Sequence, residues 1–499
     1  MTITTQSPTA TPLPPEPAVI HEHYDMVVIG GGINGTAIAR AAACLGLSVL
    51  LCQAQDLATG YSSNNPYFVT AGLNDLRHLR LAKLASHYRA IGQLKHSAPH
   101  LLRPINSVEY HPKHWSWPLL DAVHGLWQHP SAVVPQPSWR QPAELTAKAN
   151  TGYQVLDFRF TLANALAAKA AGATIATRHR LTEGNRNQGL WQLALADPKG
   201  RVHRINTQIL INATGGHVQE VIRTQLQRDT RAGIKQLRLS HLILANTINL
   251  SSAVFYHSNT QQRIGLTPIN QDWLHFGPLI SPQEGPLIQQ QMNQDEADLL
   301  SQLRTLSDNA FNLNDVKLCK TGLRAVCDDG TRADLSDLVL DFECPDGQSP
   351  LVNLLGGDLL GSYTTAKRVL RLVAPYLPKH CRNKKPTKQS LPGGDIESVK
   401  QLVTELSASF AGLPQPLLQR LAGTYGELTY SILGNAKQLK HLGQDFGHGL
   451  YQAEVNYLIA EEWAKTAEDI LARRNGLSLH FSSEETEKLQ NYMNSVLGE

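Results

Sequence analysis

The sequence predicts an α/β protein that begins with a dinucleotide-binding βαβ unit and ends with a helical domain. Three observations predict the βαβ unit: a buried apolar run at 26–29, three glycines with G-x-G-x-x-G spacing, and a second apolar run at 48–51. A helix over 38–45 is expected to join the two strands. From residue 399 onward the apolar residues follow a helical period, which predicts the C-terminal helices.

The three glycines have separate roles in such a turn. Gly30 is expected to make the tight turn, Gly32 to let the backbone approach a diphosphate, and Gly35 to let the helix pack closely on the strand. The N-terminus of the helix then offers N–H groups and a partial positive charge to the phosphates. The alternative is a glycine-rich turn that only packs a helix on a sheet. Gln53 favours that alternative, because this position usually carries a carboxylate for the ribose hydroxyls and an amide oxygen is a weaker acceptor.

Length and composition narrow the class of protein. At 499 residues the chain is long enough for two or three domains. Its net charge of +3 is too small to indicate a nucleic-acid partner. The six cysteines include no C-x-x-C pair and no metal-ligand spacing, so we expect free thiols, a reducing compartment and no metal site. No apolar run is long enough to cross a bilayer, and residues 1–22 are expected to be a disordered tail.

Several motifs together resemble one known family. Ile29–Gly35, Ala54–Ala58, Thr321–Asp329 and Tyr451–Lys465 resemble the corresponding motifs of the FAD-dependent, quinone-linked (aerobic-type) glycerol-3-phosphate dehydrogenases. The resemblance extends from about residue 23 to residue 495.

The resemblance implies the domain organisation. Residues 23–385 are expected to form a Rossmann-type FAD-binding domain of the glutathione-reductase-like, D-amino-acid-oxidase-like kind. A substrate domain with an antiparallel sheet is expected to be inserted at roughly 75–150 and 220–350. A C-terminal helical domain follows over 386–499, so the predicted class is α/β plus α.

The resemblance also implies FAD as the cofactor, bound by residues from several segments. The implied FAD-binding residues are Gly30, Gly32, Asn34, Gly35, Gln53, Ala54, Ser62, Ser63, Ala213, Thr214, Gly215, Gly356 and Gly357. The last two lie between a strand and a helix, where backbone N–H groups can approach the flavin ring.

Two residues are implied for the substrate. Arg324 aligns with the arginine that holds the substrate phosphate in the family, and a planar guanidinium suits that role. The alternative is a structural arginine paired with Asp328 or Asp329. His241 is the candidate base for the hydroxyl proton, and the alternative is a core histidine whose hydrogen bonds are satisfied.

Four positions differ from the family pattern. Tyr67 and Asp358 stand where the family has lysines, Thr70 stands for a histidine, and Asn74 stands for an arginine. Asp358 reverses the local charge, which would repel a phosphorylated substrate or a reduced anionic flavin.

Three hypotheses for function follow. The first is an enzyme that oxidises sn-glycerol 3-phosphate, a small phosphorylated polyol, to dihydroxyacetone phosphate by hydride transfer to FAD and passes electrons to quinone. The second is an FAD oxidoreductase of the same fold with a different, less anionic substrate. The third is a non-catalytic relative that has lost activity, with or without the flavin.

The family also implies a location and an assembly. We expect a cytoplasmic protein, peripheral on the inner face of the cytoplasmic membrane, that forms a homodimer. The basic segment 76–95 is either an ordinary amphipathic helix with a solvated face or a helix that contacts anionic lipid headgroups.

Overall fold

The computed structural model describes residues 18–60, 68–69, 81–112, 145–230, 232–257, 263–328, 337–382 and 390–498. The strands in chain order are β1 (His23–Ile29), β2 (Val49–Gln53), β3 (Phe68–Val69), β4 (Leu102–Pro112), β5 (Leu145–Val155), β6 (Thr174–Thr177), β7 (Arg180–Asn187), β8 (Leu190–Ala196), β9 (Val202–Asn212), β10 (Ile234–Ala245), β11 (Ala253–His257), β12 (Arg263–Pro268), β13 (Trp273–Pro282), β14 (Val316–Cys327), β15 (Leu338–Glu343) and β16 (Leu351–Gly356).

The α-helices of five residues or more in the same ranges are α1 (Ile33–Ala43), α2 (Leu81–Ser97), α3 (Asp157–Ala170), α4 (Gln289–Leu306), α5 (Ser362–Leu372), α6 (Val399–Ser409), α7 (Gln415–Tyr425), α8 (Thr429–Leu433), α9 (Gln452–Glu461), α10 (Ala467–Arg473) and α11 (Ser483–Leu497).

The first sheet is built around β1. Its main path runs β15–β16–β9–β1–β2–β6, and a hairpin of β7 and β8 joins it through β9. β1 is parallel to both β2 and β9, with Val27 opposite Leu50 on one side and Leu210 on the other. A strand in this position is buried on both faces, which explains its continuous apolar sequence. The predicted α/β class with a parallel nucleotide-binding sheet is confirmed.

Different elements cover the two faces of this sheet. On one face Met26 and Val28 pack with Ala37 of α1, Leu162 of α3 and Val369 of α5. On the other face the core continues into the β7–β8 hairpin and includes Trp191. Helix α1 begins at Ile33, five residues before the predicted start, because Asn34, Gly35 and Thr36 follow it and interrupt the apolar pattern.

The second sheet has eight strands in the described ranges. Its order is β14–β10–β13–β12–β11–β4–β5–β3. Neighbouring strands are antiparallel, apart from the parallel pair of β4 and β11. Its strands come from two separate stretches of chain, one before β6 and one after β9. Helix α4 packs on the outer face, where Leu299 and Leu303 join the core of this sheet.

Helices α6 to α11 pack around a separate apolar core that includes Leu418, Ile459 and Ile470. Helix α10 starts with a reciprocal capping box, in which the Thr466 side chain accepts from the Asp469 N–H and Asp469 accepts from the Thr466 N–H. None of the helices in the described ranges combines the length and the apolarity needed to span a membrane.

Helix α2 covers part of the segment expected to be basic and amphipathic, whereas residues 76–80 lie outside the described ranges. Leu84, Ile91 and Leu94 are buried on one side. Arg89 and Lys95 are exposed on the other. The helix is therefore amphipathic, as both sequence alternatives require.

Candidate functional site

The turn between β1 and α1 is closed by backbone contacts that exclude side chains. Gly30 has a φ of +112°, and a Cβ there would lie 2.4 Å from the carbonyl oxygen of Ala213. A Cβ at Gly35 would lie 1.9 Å from the carbonyl oxygen of Gly30. The helix therefore sits directly on the end of the strand, and both positions require glycine.

The N-terminus of α1 is open to an anionic ligand. Gly32 is the N-cap residue and makes no side-chain capping bond, and the first turn carries no acidic residue. Asn34, in the same turn, has a buried Oδ1 with no hydrogen-bond partner among the described residues. Its Nδ2 is 3.2 Å from where a Cβ of Gly357 would lie, so the two glycine turns meet at Asn34.

Gln53 ties the end of β2 to the glycine turn. Its Oε1 accepts from the Gly31 N–H at 2.8 Å, and its Nε2 donates to the Thr59 hydroxyl at 3.1 Å. An amide oxygen has two lone pairs, so one remains for a ribose hydroxyl. The neighbouring Ala54 is exposed.

The carboxyl ends of β9 and β16 are joined beside this turn. Asn212 Nδ2 donates to Asn353 Oδ1 at 3.0 Å, and Asn212 Oδ1 accepts from the Thr214 hydroxyl at 2.7 Å. The Ala213 N–H donates to the Ile29 carbonyl at 2.8 Å. Gly215, with a φ of +59°, opens the next turn. Ala213, Thr214 and Gly215 thus lie next to the end of β1.

The second glycine turn, at the end of β16, also depends on a close backbone approach. A Cβ at Gly356 would lie 2.0 Å from the carbonyl oxygen of Asp337, which accepts from the Gly357 N–H at 3.0 Å. Arg324 donates to the Gly357 carbonyl. Because Arg324 belongs to β14, this bond joins the second sheet to the turn at the end of the first.

Asp358 has a local structural role in this turn. Its Oδ1 accepts from the Gly361 N–H at 2.6 Å, and its Oδ2 lies 3.7 Å from His87 Nε2. The carboxylate therefore caps the turn that leads into α5. Its negative charge remains where the family has a lysine.

One face of the second sheet gathers basic side chains. His241 is paired with Lys320 across β10 and β14, and Lys320 and Arg324 are four residues apart, so they point to the same face of the strand. The rings of His241 and His275 are 4.5 Å apart. A β-bulge in β13 places Gly277 against the His241 ring.

His241 is held neutral in an unusual environment. Burial, with the positive charge of Lys320, lowers its pKa to about 3. Burial lowers the pKa of Lys320 as well. Neither ring nitrogen of His241 has a hydrogen-bond partner among the described residues. Buried polar atoms are rarely left unpaired, so this environment is unusual for a core histidine.

Comparison with known proteins places this arrangement in a family. A family described as FAD dependent oxidoreductase matches residues 25–348, and one described as the C-terminal domain of alpha-glycerophosphate oxidase matches residues 385–498. A glycerol-3-phosphate dehydrogenase from Pseudomonas aeruginosa is 31% identical, with 96% of each chain covered. The chain belongs to the FAD-dependent glycerol-3-phosphate dehydrogenase family.

The chain is also similar to a second dehydrogenase and to a solved structure. A D-erythritol 1-phosphate dehydrogenase from Brucella abortus is 29% identical, covering 93% of this chain and 96% of that one. The structure of a glycerol-3-phosphate dehydrogenase from Bacillus halodurans complexed with FAD aligns with a TM-score of 0.72 at 20% identity, covering 96% and 95% of the two chains, and shows the same fold.

The geometry fits FAD, which is the cofactor of this dehydrogenase family. The glycine turns bring backbone close to backbone, the N-terminal end of α1 has no acidic side chain, and Asn34 Oδ1 lacks a protein partner in the described ranges. The turns at Gly30–Gly35 and Gly356–Gly357 and the end of β9 are the parts of the chain that would hold it.

Several of the predicted residues cannot be placed. Ser62, Ser63, Tyr67, Thr70, Asn74 and Asp329 lie outside the described residues. Sequence reasoning also missed three features: the Asn212–Asn353 pair, the juxtaposition of His241 with Lys320, and the partners of Asp56 described below. All three join residues that are far apart in sequence, so local spacing gave no signal for them.

Replacing Gly35 with alanine tests the first turn. The added Cβ meets backbone rather than a flexible side chain, so we expect Gly35→Ala to lose most of its bound flavin and about 1–3 kcal/mol of unfolding free energy. Flavin absorbance per protein and urea unfolding measure both. Gly92→Ala in α2, where a Cβ meets nothing within 4 Å, is the control and should keep its flavin. Full flavin content in Gly35→Ala would contradict the geometry.

The buried histidines predict acid sensitivity. The pKa of both His100 and His241 is held at about 3, mainly by burial, whereas an unfolded histidine titrates near 6.5. The unfolded chain therefore binds more protons below pH 6.5, and stability is lost as the pH falls from there toward 3. Each histidine should cost about 2 kcal/mol between pH 7 and pH 5.

Urea unfolding of wild type and His241→Gln at pH 7 and pH 5 measures this cost. The variant should lose about 2 kcal/mol less than wild type over the same interval. Equal losses in the two proteins would show that His241 is not buried as a neutral ring.

Proposed function

We propose that this protein oxidises a small phosphorylated polyol, with sn-glycerol 3-phosphate as the first candidate, to the corresponding ketone, and that the electrons then pass to a quinone. The observation that carries the substrate class is the basic face of the second sheet, which ends at the Gly356–Gly357 turn. When bound, the flavin supplies the two-electron acceptor.

Arg324 and Lys320 supply the charge for an anionic substrate. Arg324 is buried, and burial lowers the pKa of Lys320 although the charge of Glu468 acts to raise it. A phosphate group that enters here would be attracted by these two positive charges.

His241 would accept the proton of the substrate hydroxyl. Its ring is neutral and its nitrogens have no protein partner in the described ranges, so a lone pair is free to receive a hydrogen bond. A phosphate dianion close to the ring would raise the pKa of His241, because a nearby negative charge favours the imidazolium. Substrate binding would therefore increase the basicity of this group.

The names of two relatives support a phosphorylated polyol as the substrate class. One relative is named for glycerol 3-phosphate and another for D-erythritol 1-phosphate, both phosphorylated polyols. The carboxylate of Asp358, which caps its own turn, is compatible with a phosphate held by Arg324 of β14.

A cavity behind the second glycine turn supports a quinone as acceptor. It has a volume of about 400 Å³ and lies between α1, α2, α3 and the start of α5. Leu94, Phe160, Leu359 and Leu360 make much of the lining apolar, Arg40 adds a guanidinium, and its described lining includes no carboxylate. An apolar pocket with a hydrogen-bond donor suits an apolar ring with carbonyl acceptors.

A quinone in a bilayer also requires a membrane-facing surface. Helix α2 borders the cavity and exposes Arg89 and Lys95. We propose that this side of α2 meets anionic headgroups, so that the enzyme is peripheral on the inner face of the cytoplasmic membrane. We propose separately that it is a homodimer.

Anaerobic titration tests the proposed substrate. Adding sn-glycerol 3-phosphate or D-erythritol 1-phosphate to the oxidised protein should bleach the flavin absorbance near 450 nm, roughly as expected for a two-electron reduction. Arg324→Met should need at least 100-fold more substrate, because a bidentate charged contact is lost. Arg371→Met, at an exposed position of α5, serves as the control and should behave like wild type. An unbleached flavin with both substrates would reject the proposal.

Replacing Arg40 tests the acceptor site separately. Arg40→Met keeps the length of the side chain but removes its donors, so the KM for a short-chain ubiquinone should rise about tenfold while anaerobic bleaching by substrate stays unchanged. Steady-state kinetics measure the KM for the quinone, and the anaerobic titration measures reduction of the flavin by the substrate. A KM equal to that of wild type would remove the cavity from the proposal.

A further inference from the structure

A buried cluster of charges joins the nucleotide-binding sheet to the C-terminal helices. Asp56, three residues after β2, is 2% exposed, and Arg474, just after α10, is 0% exposed. Arg474 donates from both terminal nitrogens to the two oxygens of Asp56, at 2.8 Å each. Arg473 Nε donates to Asp56 Oδ2 at 3.0 Å. Two arginines thus converge on one carboxylate from more than 400 residues away in sequence.

The arginines are themselves held in place. Arg473 also donates to Asp469, and Arg474 donates to the Glu462 carbonyl at 2.7 Å. The Glu462 carboxylate in turn receives two hydrogen bonds from Arg159 of α3. Each arginine is fixed by hydrogen bonds beyond those to Asp56, so the C-terminal helices present a rigid pair of guanidinium groups to this carboxylate.

The loop that carries Asp56 is hydrogen-bonded to Gly31, at the centre of the glycine turn. Gln53 Oε1 accepts from the Gly31 N–H at 2.8 Å, and the Ala58 N–H donates to the Gly31 carbonyl at 3.1 Å. Both backbone polar groups of Gly31 are therefore held by residues within three positions of Asp56. Gly31 lies between Gly30 and Gly32, the residues that shape the diphosphate site.

We infer that Arg473 and Arg474 are positioning residues for FAD, acting through Asp56 and its loop on the glycine turn. The C-terminal helices then determine how tightly the cofactor is retained, through contacts made within the protein. The physical reason is preorganisation, because a turn that is already held in its binding geometry loses less entropy when the ligand binds.

The rate of FAD release from the full-length holoenzyme tests this inference. In Asp56→Asn the amide keeps the shape of the side chain but loses the charge, so FAD release, followed by the gain in flavin fluorescence on dilution, should be at least tenfold faster. Arg473→Lys keeps the charge but loses the forked geometry and leaves Arg474 in place, so its release should be about threefold faster.

The matched control is a buried ion pair inside the C-terminal domain. Glu454 accepts from Arg420 Nη1 at 3.0 Å and from the Tyr425 hydroxyl at 2.7 Å, and no bond described for it reaches the loop of Asp56. Glu454→Gln should lower the melting temperature as the other variants do, yet leave the rate of FAD release within twofold of wild type.

The rates of FAD release distinguish a cluster that positions the glycine turn from one that only holds the domains together. Faster release in Asp56→Asn and Arg473→Lys, but not in Glu454→Gln, supports the inference. If the first two variants melt earlier and release FAD no faster than Glu454→Gln, the cluster only holds the domains together and the inference is overturned. Should Asp56→Asn yield no soluble holoenzyme, the comparison of Arg473→Lys with Glu454→Gln decides. The measurement needs no substrate, so it stands apart from the proposed reaction.

Discussion

The close approach of α1 to the end of β1 is the constraint on which the rest of the site depends. Gly35 lies against the Gly30 carbonyl with no space for a Cβ, and the Ala213 backbone closes on Gly30 from the side of β9. The first turn of α1 thereby faces the carboxyl ends of three parallel strands, β2, β1 and β9. In open α/β sheets this edge is where ligands bind.

Around this edge the structure uses polar groups to connect elements that are distant in sequence. Asn212 and Asn353 join the ends of β9 and β16, Gln53 joins β2 to the glycine turn, and Arg324 joins the second sheet to the Gly357 carbonyl. Each bond is buried or partly buried, where a lost partner is costly. The site is therefore rigid on the nucleotide side, as a preorganised cofactor cradle requires.

The second sheet buries polar groups around His241. His241, with neutral nitrogens that lack protein partners in the described ranges, sits opposite Lys320, whose pKa is lowered by burial. A cation and two unpaired ring nitrogens at a β-bulge cost stability in the absence of a ligand. Asp358 differs from the family pattern, but it accepts from the Gly361 N–H and caps its own turn, so the backbone of the site is retained.

The local features of the chain were determined by sequence alone. The βαβ unit, the glycine turn and the C-terminal helices depend on spacing and periodicity within a few residues, which side-chain size and backbone sterics decide directly. The start of α1 was predicted five residues too late, because Asn34, Gly35 and Thr36 interrupt the apolar pattern of the helix.

The partners of buried polar side chains were decided only by the tertiary structure. Asp56 meets Arg473 and Arg474 across 417 and 418 residues, and His241 meets Lys320 only once β10 pairs with β14. Periodicity tells which side chains are buried, but not which charged group faces them. That choice depends on the order of strands and the docking of the helices, because a buried charge is stabilised only by the neighbour that the whole fold brings to it.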